Sequence, residues 1–209
     1  DGDSITSIAC IGEITGSIHS ILQLERLLLN CMQRMSAIAT KTRRLVDLVA
    51  PYGVQLLDTR KTTPNFRICE KWAVHIGGGV NHRFGLYDQM LIKDNHVQAA
   101  GGIRNAIQLC LKYRQEHNIQ VPLIVEVKNV EEFIIAKEYK EIDRILIDNF
   151  KPDQIHPLIA LNDTKKTIEA SGGINATNMM EYAQTGIDFI SMGDLTHHVE
   201  SVDISLKIK

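Results

Sequence analysis

Six short apolar runs follow residue 53, and each stops on charged or small residues. They are VQLLDTR (54–60), QMLIKDNH (89–96), LIVEVKN (123–129), RILIDNF (144–150), TIEASGGI (167–174) and FISMGDL (189–195). Runs of this length read as strands, and their nearly unbroken apolar character suits strands covered on both faces. Helix-like segments lie between them. Phe66, Cys69, Trp72, Ala73 and Ile76 make an apolar stripe after Pro64, closed by Gly77-Gly78-Gly79. Ala106, Ile107, Cys110, Leu111 and Tyr113 make another, as do Val130, Phe133 and Ile134, and Thr177 is placed to cap a helix through Ala183 with Gly186 at its end.

Strand and helix in alternation predict parallel strands joined by right-handed crossovers. Two α/β architectures satisfy this, an open doubly wound sheet and a closed or nearly closed barrel. The barrel is favoured because the polar endings would then converge on one mouth, whereas an open sheet spreads them along an edge. Six runs predict a short or incomplete parallel α/β barrel of about six strands, spanning residues 53–195. Before it, Leu24, Leu27, Leu28, Cys31, Met32, Met35 and Ile38 recur at helical steps and predict one long helix over residues 20–49. Arg26, Asn30 and Gln33 share a different face of that helix.

Bulk properties narrow the classes of partner. With 209 residues, 44% of them hydrophobic, the chain can bury one substantial core. Lys and Arg total 23 against 25 for Asp and Glu, so nothing global draws the chain to nucleic acid or to an anionic membrane. No apolar stretch reaches the ~20 residues of a membrane span, and no secretory signal is visible. Cys10, Cys31, Cys69 and Cys110 are scattered without a CxxC pair, which reads as reduced thiols in a cytoplasmic protein.

If the endings share one rim, Arg60, Lys61, His82, Arg83 and Lys93 face a common space. Clustered cations repel one another by roughly 1 kcal/mol or more per close pair. An anion relieves that repulsion: Arg suits bidentate carboxylate or phosphate, and Lys is a compact point charge. Glu126 and Asp148 sit opposite, a convergent pair able to hold Mg²⁺ or to stabilise developing positive charge. Lys128 would join Glu126's face if the strand ran that far. Ser171, Gly172, Gly173 and the ending Met192-Gly193-Asp194 offer small residues whose backbone N–H groups can approach a phosphate, beside a helix start at Thr177. His82, His96, His197 and His198 lie near the rim without zinc-ligand spacing; His82 and His197 read as donors to an anion.

Together LLDTRKTTP, GGGVNHRFGLYDQMLIKDNH, VEVKN, ILIDNF, EASGGI and SMGDLTHHVESVDISL resemble the quinolinate phosphoribosyltransferase family, as does the helix LERLLLNCMQRMSAIATKT. The resemblance implies that Arg60, Lys61, His82, Arg83 and Lys93 bind the carboxylates of quinolinate and the ribose pyrophosphate, with Lys61 and Lys93 catalytic. It implies that Glu126 and Asp148 hold the ribose hydroxyls and Mg²⁺, and that Ser171, Gly172, Gly173, Gly193 and His197 take the 5-phosphate of phosphoribosyl pyrophosphate. Arg26 matches a family residue that reaches into a neighbouring subunit, which implies a homodimer with shared active sites. The implied reaction joins the pyridine nitrogen to ribose C1, expels pyrophosphate and releases CO₂, giving nicotinate mononucleotide for NAD biosynthesis.

On the same resemblance, residues 1–52 are a remnant of an N-terminal α/β sandwich domain with its connecting helix, and 196–209 are a C-terminal tail. The family's N-terminal domain is roughly a hundred residues, a domain-sized piece. It is mostly missing from a chain that opens on Asp1, so activity and dimerisation of this chain alone are expected to suffer. Ile124 and Lys128 stand where family members often carry acidic residues, and Asn65 replaces a common Gly, a mild change because Asn tolerates a left-handed backbone. Three other functions stay open: a related phosphoribosyltransferase for another heteroaromatic acid, a non-catalytic phosphometabolite-binding barrel, and a structural barrel with solvated charges.

Overall fold

The stripe of Leu, Met and Ile does form one long helix. In this computed structural model, which describes residues 1–208, α1 runs Ile18–Val49. Its second half is the better buried: Ala37, Ile38, Thr42, Leu45 and Val49 pack inward, while Leu22, Leu24 and Leu27 near its start stay exposed. Pro51 in the following 3₁₀ turn cannot extend the α-helical hydrogen bonding, and Gly53 at φ 72° swings the chain into the sheet.

Each of the six apolar runs contains a strand: β1 (Gln55–Leu57), β2 (Met90–Ile92), β3 (Leu123–Val127), β4 (Arg144–Asp148), β5 (Thr167–Ser171) and β6 (Phe189–Ser191). All pairings are parallel, in the order β1-β6-β5-β4-β3-β2. This order winds in one direction without the reversal of a doubly wound sheet, so the architecture is an incomplete α/β barrel. The opening lies between β1 and β2. Val80 lines its β1 side, donating from N to Leu56 O at 2.8 Å and accepting from Asp58 N at 3.2 Å.

The intervening helices are α2 (Arg67–Ile76), α3 (Asp94–Ala99), α4 (Ile103–Glu116), α5 (Val130–Lys137), α6 (Pro152–Leu161), α7 (Met179–Ala183) and α8 (Asp194–His197). Of these α3, α6 and α8 were not anticipated. α6 starts at Pro152, where a missing N–H costs nothing, and continues through Pro157. Ile38, Leu45 and Val49 of α1 join the same core as Val125, Ile145, Ile168 and Ile190 of the sheet.

Two local expectations fail. Thr177 does not cap α7; its backbone N–H and hydroxyl donate to Asn175 Oδ1 at 2.9 and 2.6 Å, and the helix begins only at Met179. An Asx turn has captured the donors that a cap would have organised. On α2 only part of the apolar stripe is buried. Trp72 is 53% exposed, whereas Glu70, Lys71, Ala73 and Val74 are buried.

Candidate active site

The C-terminal ends of the strands surround one cavity of about 1330 Å³. Arg60, Lys61, His82, Arg83, Lys93, Glu126, Asp148, Ser171, Gly172, Gly173, Gly193 and His197 all line it. Arg26 is the exception, exposed on α1 away from this mouth. Lys128 follows the last residue of β3 and does not line the cavity either, because the strand stops at Val127. His96 is spent on structure, its Nδ1 accepting from Lys93 N at 2.9 Å. His198 pairs with Asp194 at 3.2 Å while lining the same rim.

The run DTRKTTP divides into residues that face the cavity and residues that hold the loop. Asp58 is fully buried and turns toward α2, where it pairs with the buried Lys71 and accepts from His82 N at 2.9 Å. Lys71 Nζ also donates to His82 O at 2.8 Å, so this one ion pair fastens segment 80–83 to the end of β1. Burial pushes the Asp58 carboxyl up to about 6, against the pull of the Lys71 ammonium. Burial likewise holds Lys71 below the ordinary lysine value, with Asp58 opposing.

A second buried acid, Glu70, accepts from Thr63 N at 3.0 Å, from Thr63 Oγ1 at 2.8 Å and from Arg34 Nε at 2.7 Å. Arg67 stitches the same loop, donating to Thr62 Oγ1, Phe84 O and Arg60 O at 3.0–3.2 Å. Asn65 does take a left-handed backbone, with φ 61°. Lys41 of α1 reaches Asp194 Oδ2 at 2.9 Å and the carbonyls of Asp194 and His198. The cavity rim is therefore braced from outside by charged side chains of α1 and α2.

What remains free faces inward. Among the described residues, the guanidinium groups of Arg60 and Arg83 and the Lys61 ammonium have no hydrogen bond or ion pair. Arg83 is only 6% exposed, and burial, then the nearby Arg60 charge, lowers its affinity for its proton, against the pull of the Asp88 and Glu126 carboxylates, neither of which pairs with it directly. A nearly buried cation without a partner costs stability unless an anion is supplied. Lys93 lies 3.7 Å from Glu126 across the mouth. Burial raises the carboxyls of both Glu126 and Asp148; Lys93 opposes the shift in each, and the Asp148 charge adds to it at Glu126. His197 is pulled below the ordinary histidine value, mostly by burial and then by His198.

The glycine loop makes its close approach at Gly172. Its φ is +97°, and a Cβ there would stand 2.7 Å from Asn149 N, with the Asn149 side chain nearer still. Asn149 itself has φ 60° and donates from Nδ2 to Asp148 Oδ2 at 2.6 Å, so the loop and the carboxylate share one packing unit. Gly172→Ala is expected to cost about 1–3 kcal/mol of stability and to weaken phosphate binding at the loop. Urea unfolding with a phosphate titration checks this, and a variant unchanged in both would contradict it.

Sequence reasoning passed over Glu169, which is fully buried yet lines the cavity. Its Oε1 accepts from Ser191 Oγ and faces His82 Nε2 at 3.3 Å, while Oε2 accepts from Arg144 Nη1 at 2.9 Å. Burial opposes its ionisation, but the hydrogen bonds from His82, Ser191 and Arg144 prevail and hold the carboxyl below the usual glutamate value. A signal was present. Glu169 stands two residues before Ser171 in an apolar run, which puts both on the same face of the strand.

Unpartnered cations, convergent carboxylates and a glycine loop thus meet at the C-terminal mouth of a parallel α/β barrel, the end at which barrel enzymes carry their active sites. Comparisons with known proteins agree. The family model for "Quinolinate phosphoribosyl transferase, C-terminal domain" matches residues 38–207, and the chain belongs to the quinolinate phosphoribosyltransferase family. It is 41% identical to a probable nicotinate-nucleotide pyrophosphorylase (carboxylating) of Bacillus subtilis, over 100% of this chain and 71% of that protein. It is 40% identical to the chloroplastic enzyme of that name from Arabidopsis thaliana, of which it spans 63%. The solved structure of NadC from Streptococcus pyogenes superposes with a TM-score of 0.86 at 38% identity, covering 99% of this chain and 71% of that one.

Proposed function

We propose that the whole protein transfers a phosphoribosyl group from phosphoribosyl pyrophosphate to quinolinate with loss of CO₂, giving nicotinate mononucleotide and pyrophosphate. The observation that carries this reading is the pairing, in one cavity, of partnerless cations (Arg60, Lys61 and Arg83) with the carboxylates of Glu126 and Asp148. Quinolinate presents two adjacent carboxylates, and Arg83 with Arg60 matches them in charge and in bidentate geometry. The pyridine nitrogen attacks ribose C1 as the bond to pyrophosphate breaks, and Glu126 and Asp148 stabilise the positive charge that develops on the sugar. The nitrogen is then cationic. The bond from the neighbouring ring carbon to its carboxylate breaks, CO₂ leaves, and the electron pair stays on that carbon until a proton replaces it. Ser171, Gly172, Gly173, Gly193 and His197 hold the 5-phosphate on this reading.

Mg²⁺ fits as the proposed cofactor. Glu126 and Asp148 offer hard oxygen donors whose mutual repulsion a cation relieves, and magnesium is commonly held by one or two carboxylates plus substrate oxygens and water. When bound, it would supply neutralisation of the pyrophosphate leaving group. The exposed Ile18, Leu22, Leu24 and Leu27 of α1, beside Arg26, support a homodimer in which Arg26 serves the other subunit's site. For the protein at the full length of its relatives, light scattering at twice the subunit mass is expected, and a strictly monomeric active protein would refute the shared site. A cytoplasmic location accords with four free cysteines among the described residues, although the Arabidopsis relative is named as chloroplastic. No helix among the described residues is long and apolar enough to cross a membrane.

The test of the reaction is release of labelled CO₂ from carboxyl-labelled quinolinate with phosphoribosyl pyrophosphate and Mg²⁺. It uses the protein at the full length of its relatives. Release dependent on both substrates is expected, and none from folded protein would sink the assignment.

A further inference from the structure

We propose that Glu169 is a positioning residue of the dianion clamp, acting through the His82 ring on Arg83. The proposal rests on the reading of Arg83 as a carboxylate ligand. His82 lines the cavity, yet neither of its ring nitrogens is free. Nδ1 accepts from the Arg83 backbone N–H at 2.7 Å, so Nδ1 carries no proton. The ring then meets Glu169 Oε1 through an Nε2–H, at 3.3 Å. Glu169 is able to accept there because its charge is already balanced by Arg144, 2.9 Å from the other oxygen, and because Oε1 keeps a second lone pair beside the bond it accepts from Ser191.

The chain of contacts runs Arg144, Glu169, His82, Arg83 and joins β4 and β5, with β6 tied in through Ser191, to the segment beside the barrel's opening. The backbone of His82 is pinned as well, its N–H donating to Asp58 at 2.9 Å and its carbonyl accepting from Lys71 at 2.8 Å. With the His82 ring held by Glu169, the next peptide N–H is held too. Arg83 then enters the cavity from a fixed direction with all its guanidinium donors unspent. His82 acts as a strut, and the anion is left to Arg83. A merely structural ion pair between β4 and β5 would be indifferent to which ring nitrogen of His82 carries the proton.

The difference is measurable by [¹⁵N]histidine NMR, with the His82 signals assigned by their loss in His82→Gln. The wild-type protein is expected to show protonated Nε2 and unprotonated Nδ1. Because Glu169→Leu alone would strand Arg144, the test uses two double variants that remove both charges. Arg144→Met/Glu169→Leu deprives His82 of its acceptor, whereas Arg144→Met/Glu169→Gln leaves an amide oxygen in place. The Leu form should lose the single tautomer and bind pyridine-2,3-dicarboxylate about tenfold more weakly, the worth of roughly one hydrogen bond. Inorganic phosphate binding should be unaffected, and the Gln form should recover both the tautomer and most of the dicarboxylate affinity. Persistence of the Nε2–H tautomer in the Leu form would overturn the proposal. So would a released ring with undiminished dicarboxylate binding. If the wild-type protein binds no pyridine dicarboxylate, it is the phosphoribosyl-transfer reading that falls, and the tautomer comparison still decides the role of Glu169.

Discussion

Arg83→Ala should weaken quinolinate by about 10²–10³-fold while leaving phosphoribosyl pyrophosphate within about threefold, because truncating one partner of a desolvated charge pair costs about 2–5 kcal/mol. The asymmetry follows from the site. Arg83 is 6% exposed and unspent, so a carboxylate placed against it is shielded from water. The candidate phosphate loop at Ser171–Gly173 belongs to a different strand ending. Isothermal titration of each substrate separately checks the split, and an equal loss for both would show that Arg83 is not the carboxylate ligand. The thermal midpoint should not fall, since removing a partnerless buried cation relieves a cost in the unliganded protein.

Lys71→Met should cost about 3–5 kcal/mol at pH 8, the usual penalty for stranding one member of a buried ion pair, and markedly less at pH 5. The sign follows from Asp58, whose carboxyl is already pushed up to about 6 with Lys71 pulling it down. Without that pull its folded value rises further above the ordinary 3.8. A carboxyl raised in the folded state contributes stability below its unfolded value, and that contribution is lost as pH rises through the folded value. The variant's deficit therefore opens between the acid range and neutrality, and urea midpoints at pH 5 and 8 measure it. Part of the loss will not depend on pH, because His82 O also loses the Lys71 donor. An equal deficit at both pH values would show that Asp58 does not titrate as described. Activity should fall with stability here, since the same ion pair anchors His82 and hence Arg83.

The six strands were legible because a parallel strand covered on both faces must be apolar throughout, and its ending is visible as the place where that stops. Glu126 and Asp148 could be read from their positions at those endings. The burial of Glu70 and Lys71 could not. Two charged residues beside Trp72 look like the solvated side of α2, and the stripe of Phe66, Cys69, Trp72, Ala73 and Ile76 gives no sign that they face inward. Their burial is decided by partners far away in the chain, Arg34 and Asp58, and helical periodicity counts apolar residues without knowing where counter-charges are. Thr177 was misread for a related reason, since a nearby Asn175 outcompeted the cap.

The amino-acid sequence alone determined the kind of barrel and most of the residues that end up at its mouth, because backbone hydrogen bonding and apolar burial act over a few residues at a time. Tertiary structure alone decided which charges are spent and which are free. Asp58, Glu70, Lys71, Glu169 and His82 are consumed in holding the rim, and Arg60, Lys61 and Arg83 are left open. That division depends on desolvation and on distances between groups remote in sequence, and it exists only once the chain has closed around them.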